Sequence, residues 1–406
     1  MRIDTFKDEV QMMKNQKKIE ILQKIIQIKS VNDNESEVAD YISSLFSRFP
    51  ETNIQKFTYA PNRDNLVITI GKNQGPMLGL TGHMDVVAPG NLEDWKYDPF
   101  SATIADNKVY GRGATDMKSG LAALVVALLE LLEQKTELPG KIRLLATVGE
   151  ETGEYGAAQL TTKGFADNLA GLLVAEPTSH MQNIVYTARG VIDYKVKSYG
   201  KTAHSAEPQD GINAIDNLIV FYHLAIERLL KFSKTDPVLG GVTHSITKIK
   251  GGEQVNSIPS YAELMGNIRT IPAYPNQCFY DELEAIIAEL NQQQGFKLAI
   301  TYSFPEEAIP GKPDSRIIKI AQRTHQNVLG SEAKITGSSG ANDSSEFLQA
   351  KGNFNSIELG PGSNTSHQSN EYVEINDYLN AIEFYKQFAL DFLQDKQIRK
   401  EFPAAD

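Results

Sequence analysis

Five stretches of the chain run into side chains that bind metals or move protons. LGLTGHMDVV (78–87) carries His83 and Asp85, GRGATDMKSG (111–120) carries Asp116, and KIRLLATVGEE (141–151) runs into Glu150 and Glu151. LLVAEP (172–177) closes on Glu176 and GPGSNTSH (360–367) ends on His367. Each residue has an ordinary reading. A His after a strand is commonly a hydrogen-bonded structural residue, adjacent glutamates are commonly solvated charge, an Asp in a Gly-rich turn can cap the next helix, and Glu before Pro can be loop punctuation. All of these would have to hold at once for there to be no site, so the joint placement favours a metal centre. The single cysteine, Cys278, supplies neither an intrachain disulfide nor a thiolate cluster. The donors are therefore imidazoles and carboxylates. Two His and three carboxylates suit a pair of ions about 3.5–4 Å apart that share a bridging carboxylate and a water. This donor chemistry points to Zn²⁺, with Co²⁺ or Mn²⁺ as replacements. Adjacent glutamates leave the backbone in different directions, so one can bind metal while the other acts as general base. Asp85, two residues from His83 and on the same face of a strand, can hydrogen-bond it and fix its tautomer.

These residues need a scaffold that brings chain ends to one rim. Asn65 to Gly71, the stretch opening at Leu78, Lys141 to Val148, Leu172 to Ala175 and Ser356 to Leu359 read as buried strands. Helices alternate with them: about 7–29, a second after Asn34 (a capping box with Glu37), Leu121 to Gln134, Ser315 to Val328, and one from about Asn376. Residues 101–111 read as a hairpin turning at Asp106-Asn107. The pattern is that of an α/β sheet covered on both faces, with the site beyond the carboxyl ends of its strands. Between 185 and 303 the order becomes β-α-β-β-α-β, a ferredoxin-like unit. The fold expected is α/β: a discontinuous domain (1–184 and 304–406) with a mixed, mainly parallel sheet, carrying an inserted ferredoxin-like α+β domain (185–303).

With 406 residues, 41% of them hydrophobic, the chain is long enough for two cores. A net charge of -11 argues against nucleic acid or anionic membrane as the main partner. The N-terminal stretch is polar and the longest apolar run, Leu121 to Leu129, is far short of the roughly 20 residues that span a bilayer. A cytoplasmic protein acting on a small molecule is expected.

The motifs also carry a resemblance. GHMDVV (82–87), YGRGATDMKSG (110–120), LLATVGEETGEYGA (144–157), LLVAEPT (172–178), GKTAHSAEP (200–208), GGEQVNSIP (251–259) and SHQSNEYV (366–373) resemble, in order, the dinuclear zinc amidohydrolases. That family includes succinyl-diaminopimelate desuccinylase, acetylornithine deacetylase, aminoacylase and glutamate carboxypeptidase. The resemblance implies that His83 and Glu176 hold one ion, that Glu151 and His367 hold the other, and that Asp116 bridges them. It also implies that Asp85 supports His83, that Glu150 is the general base, and that a cis peptide follows Asp116. The inserted domain resembles the family's lid, which also forms a homodimer. His204 matches a His that reaches the partner subunit's active site to bind the oxyanion, and Asn256 and Arg269 match positions that meet substrate. Arg189 is a further candidate for a substrate carboxylate, which guanidinium binds bidentately; the alternative for Arg189 and Arg269 is a surface ion pair.

The motif wording is nearest to the desuccinylase and deacetylase branch. The reaction expected is amide hydrolysis of an N-acyl amino acid, foremost N-succinyl-LL-2,6-diaminopimelate to succinate and diaminopimelate. GSSGANDSSEF (337–347) departs from the Gly-Thr-Ser-Asp wording of well-known desuccinylases. This leaves acetylornithine deacetylase, aminoacylase and di- or tripeptidase activities open, with an inactive scaffold as the rival of another class.

Overall fold

The protein is described here by a computed structural model covering residues 13–72 and 74–403. It divides into two compact units, 1–186 with 311–336 and 346–406, and 187–310 with 337–345. In place of the expected 185–303, the second unit thus runs to Pro310 and includes the 337–345 loop.

In chain order the elements are α1 (Asn15–Gln27), α2 (Glu35–Phe46), β1 (Asn53–Ala60), β2 (Arg63–Gly71), β3 (Met77–His83), β4 (Thr103–Ala105), β5 (Lys108–Tyr110), α3 (Lys118–Glu133), β6 (Lys141–Thr147), α4 (Tyr155–Thr162), β7 (Gly171–Pro177) and β8 (Asn183–Ala188). The second unit contributes β9 (Gly190–Tyr199), β10 (Ala203–His204), α5 (Ala214–Leu229), β11 (Thr235–Asp236), β12 (Gly240–Gly241), β13 (Thr243–Gly251), β14 (Ser257–Ile258), β15 (Tyr261–Thr270), α6 (Gln277–Asn291) and β16 (Leu298–Glu306). The chain then runs through α7 (Arg316–Leu329), β17 (Lys334–Ser338), α8 (Ser344–Phe347), β18 (Ser356–Gly360), β19 (Tyr372–Glu374), α9 (Ile375–Gln394) and α10 (Lys396–Glu401). The part of the expected first helix before residue 13 lies outside the described residues.

The first unit is built on an eight-stranded mixed sheet, order β1-β2-β6-β3-β7-β18-β8-β17. Its middle strands β6, β3, β7 and β18 are parallel. The pairs β1–β2, β2–β6 and β18–β8 are antiparallel. Strand periodicity sorts the side chains: Leu66, Ile68 and Ile70, Ile142 and Leu144, and Leu173 and Ala175 join the core with α1, α2, α3, α7 and α9. Val67, Leu145, Leu172 and Val174 face the opposite core with α4, Phe347 and Phe354. Helix α3 is apolar on all sides because it is enclosed: every residue from Lys118 to Leu131 is buried. Gly120 lets its first turn close on β7, since a Cβ there would lie 2.0 Å from the carbonyl oxygen of Ala175. The expected hairpin is β4–β5, with Asp106 and Asn107 both at positive φ. Asn34 is not a side-chain cap. It sits in the left-handed region at φ 61° with no cap bond from its amide.

The second unit is a four-stranded sheet in the order β13-β15-β9-β16, antiparallel throughout, with α5 and α6 packed on one core. This is the ferredoxin-like arrangement read from the sequence. The single strand expected over 185–198 is two strands, β8 and β9, broken at Arg189. Gly190 begins the second where a Cβ would come within 2.4 Å of the Thr270 hydroxyl and 2.5 Å of the Ala308 nitrogen.

Candidate metal centre

Strand β3 sits inside the parallel core, paired to β6 from Met77↔Lys141 to His83↔Thr147 and to β7 on its other side. The carboxyl ends of these strands share one rim. His83 is the last residue of β3, Glu150 and Glu151 begin the 3₁₀ turn after β6, and Glu176 lies at the end of β7. Asp116 is presented by the turn before α3, and its peptide bond to Met117 is cis. His367 lies in the loop between β18 and β19, at φ 62°.

The side chains converge. His83 Nε2 is 3.2 Å from Asp116 Oδ1, 3.6 Å from Glu176 Oε1 and 3.9 Å from Glu150 Oε2. His367 Nε2 is 2.9 Å from Glu151 Oε2 and 3.4 Å from Asp116 Oδ2. The two oxygens of Asp116 therefore face different imidazoles, the arrangement a bridging carboxylate requires. His83, Asp116 and Glu151 form one group, and His83, Glu150 and Glu176 another, with donor atoms all within 4.8 Å of each other. Glu150 thus lies among the donors rather than apart from them.

Asp85 departs from its expected role. β3 ends at His83, so Asp85 lies beyond the strand, and it is its main-chain carbonyl that meets His83 Nδ1, at 2.9 Å. The carboxylate is 3.6 Å from that nitrogen and instead accepts the N–H groups of Glu150 and Glu151, each at 3.2 Å. Asp85 holds both sides of the site, one with its backbone and one with its side chain. His83 and Asp85 are fully buried.

Within the cluster, burial and neighbouring charges act on each group in opposite directions. Burial pulls the His83 imidazole down, but Asp116, Glu150, Glu176 and Asp85 outweigh it and hold its pKa well above the usual value. The bond to Glu151 raises His367. Burial, reinforced by Asp116, pushes Glu176 well above the carboxylate range, and burial also raises Glu151. For Asp116 burial acts upward, but His83, His367 and Arg112 overcome it and leave the carboxyl below its usual value. A partly buried set of carboxylates converging on two imidazoles fits a site for divalent ions, whose positive charge would offset the carboxylates. The donors are oxygen and imidazole nitrogen without thiolate, the set suited to zinc and its relatives.

The remaining candidates lie in the second unit. His204 and Asn256 come together there: β10 pairs with β14, His204 opposite Ser257, and the Asn256 carbonyl accepts from Ser205 N–H at 3.1 Å. Both side chains are exposed. Arg189 donates to the carbonyls of Leu239 and Gly241, so it braces the β11–β12 turn rather than standing free. Arg269, on β15, reaches the Ser339 carbonyl at 3.5 Å. Among the described residues, neither arginine makes the surface ion pair weighed as the alternative.

Residues not singled out from the sequence also build the site. Glu371 is fully buried and accepts the main-chain N–H groups of Gly113, Thr115 and Asp116 at 3.0, 2.8 and 2.9 Å, as well as the Arg112 guanidinium. Burial pushes its carboxyl up to about 7. Lys118 is fully buried, donates to the Ile28 carbonyl at 2.7 Å, and is pulled down to about 7 by burial. The only sequence signal for either is position: one lies inside SHQSNEYV, the other two residues after Asp116. A third group of donors, His180, Glu374 and Asp377, lies at the start of α9, where His180 pairs with Asp377 at 2.5 Å.

Comparison with known proteins places this geometry. The model of a family described as peptidase family M20/M25/M40 matches residues 79–391. A Staphylococcus aureus protein named probable succinyl-diaminopimelate desuccinylase is 35% identical over 407 residues, covering 93% of this chain and 98% of that one. The crystal structure of a tripeptidase from Staphylococcus aureus superposes with a TM-score of 0.71 at 25% identity, covering 93% of this chain and 100% of the other. That of aminopeptidase PepT from Bacillus cereus gives 0.75 at 19% identity, covering 95% and 100%.

Proposed function

The chain belongs to the peptidase family M20/M25/M40, and from that premise we propose that it hydrolyses the amide bond of N-succinyl-LL-2,6-diaminopimelate in the cytoplasm, with two Zn²⁺ ions that Co²⁺ can replace. The observation that carries a two-metal hydrolase is Asp116, with one oxygen toward His83 and the other toward His367. We assign His83 and Glu176 to one ion, Glu151 and His367 to the other, and Asp116 to both. Ions bound there supply Lewis acidity for the scissile carbonyl and acidify water.

The protein's own groups do the rest. Glu150 takes a proton from the attacking water on a carboxylate oxygen as the water oxygen bonds to the amide carbon. It returns that proton to the amine nitrogen as the C–N bond breaks. Asp85 keeps Glu150 and Glu151 in place through their N–H groups. We assign the second unit to a lid that joins a homodimer, with His204 donating to the oxyanion in the neighbouring copy and Asn256 and Arg269 binding substrate. Arg189 supports that surface by bracing residues 239–241. Exposed Ile219, Tyr222 and Ile226 on α5 and Leu230 just after it, beside the edge strand β13, support self-association of this unit.

A second reading, tripeptide hydrolysis, is favoured by the likeness to the staphylococcal tripeptidase, which covers that whole chain. The test is a panel of N-succinyl-diaminopimelate, N-acetylornithine, dipeptides and tripeptides with Zn²⁺ or Co²⁺. Turnover of the succinyl substrate at the highest kcat/KM supports the first reading; turnover of peptides alone overturns it. Size-exclusion chromatography with light scattering tests the dimer, which a monomer at micromolar concentration would refute.

A further inference from the structure

We propose that Glu371 is the positioning residue of the two-metal centre: by binding the main chain of the Asp116 turn, it sets where the bridging carboxylate stands relative to His367. This rests on the metal assignment above and goes one layer beneath it.

The geometry is specific. One oxygen of Glu371 accepts the N–H groups of Thr115 and Asp116, and the other accepts Gly113 N–H and the Arg112 guanidinium. Four donors from consecutive or nearly consecutive residues thus saturate one buried carboxylate, and one of them is the amide of the bridging residue itself. A peptide plane held at its N–H leaves little freedom for the Cα that follows, so the Asp116 side chain is aimed with one oxygen at each imidazole.

Glu371 is also four residues after His367, and its own carbonyl accepts Gly111 N–H at 2.9 Å. Tyr372↔Tyr110 pairing continues that connection as β19 lies along β5. A hydroxyl cluster reinforces it: Thr115 Oγ1 donates to the Tyr372 carbonyl at 2.6 Å and lies 3.2 Å from Ser363 Oγ, which is 2.6 Å from Thr365 Oγ1. The loop of one ligand and the turn of another are therefore locked as one piece, with Glu371 at its centre. The second ion, held between Asp116 and His367, depends on that lock most. The ion at His83 and Glu176 draws its other ligands from β3 and β7, whose positions the sheet sets.

The experiment is a stepwise Co²⁺ titration of the full chain, read by calorimetry and by the d–d absorption of each bound ion, on wild type, Glu371→Gln and Glu371→Asp. Gln places an amide NH₂ against main-chain donors; Asp keeps the charge but shortens the arm. Lys386→Met, which breaks a partly buried ion pair with Glu130 far along α3, serves as the destabilised control, matched by melting temperature. The expected result is one ion bound at wild-type affinity and the other at least tenfold more weakly, with an altered absorption band, in both Glu371 variants and not in the control. Wild-type affinity for both ions with an unchanged spectrum in either variant overturns the proposal. So does equal weakening in the Lys386→Met protein, which would make the effect one of stability. Failure of the wild type to bind metal overturns the metal assignment itself, and is thereby distinct.

Discussion

Replacing Asp85 by Asn separates two roles that the carboxylate can play. The Asp85 side chain accepts the N–H groups of Glu150 and Glu151, whereas His83 Nδ1 meets the Asp85 main-chain carbonyl, which the substitution leaves in place. Asn keeps one acceptor oxygen and turns an NH₂ toward the other N–H, in a fully buried position. Loss of one hydrogen bond to a charged acceptor there costs about 1.5–3 kcal/mol. If that energy is spent on holding the Glu150–Glu151 turn, it is about tenfold to somewhat over a hundredfold in the fraction of molecules with the turn in place. The expected phenotype is a fall of that order in kcat and in affinity for the ion at Glu151 and His367, with the metal-free protein destabilised by a similar amount in urea. The ion at His83 should keep close to its wild-type affinity. The assay is a metal titration beside steady-state kinetics, with His83→Gln and His367→Gln proteins to identify each ion. Were the carboxylate instead the group that orients His83, the loss would fall on the His83 ion, at about 10- to 100-fold. That result, with the turn and kcat otherwise intact, would refute the reasoning.

Other substitutions test the remaining assignments. Glu150→Gln should lower kcat by about a hundredfold or more while metal content stays at two per chain, because it removes the proton carrier; full activity in that protein would reject Glu150 as base. Arg269→Met should raise KM for carboxylate-bearing substrates, whereas Arg189→Met should chiefly lower the melting temperature, since Arg189 donates to the Leu239 and Gly241 carbonyls. Kinetics and calorimetry on the same preparations separate the two. Burial lowers the pKa of His244, which lies against the Tyr194 hydroxyl. The unfolded chain therefore binds this proton first, and stability should fall as pH drops from the ordinary imidazole value through the depressed one. His244→Phe should flatten that part of the stability profile measured by urea titration.

Local periodicity and strand-end chemistry made much of this molecule legible in advance. The apolar runs at 66–70, 142–146 and 172–175 alternate between two cores, and β3, β6 and β7 run out at or close to the candidate donors His83, Glu150 with Glu151, and Glu176. What was not legible depends on distant partners. Glu371 reads as one polar residue among many, because its donors lie at 112–116. Alternation puts Asp85 on the face of His83 only if the strand runs on, and β3 stops two residues before it. The break between β8 and β9 at Arg189 follows from close approach of residues 270 and 308 to Gly190, which no window around 190 contains. The polar run from 337 to 345 carries no apolar period, and only the folded chain groups it with the second unit.

The position of β18 bears on how the enzyme is made. In the sheet it lies between β7 and β8, although some 170 residues of chain separate it from either of them. A ribosome-bound chain that has just released β8 therefore has a gap in its sheet, and the whole inserted unit must be synthesised before the strand that fills it emerges. His367 and Glu371 come seven and eleven residues after the end of that strand at Gly360. Stalled nascent chains of graded length should consequently acquire the second metal abruptly, once residues 356–374 have cleared the exit tunnel, and metal uptake becomes a timing mark for completed topology.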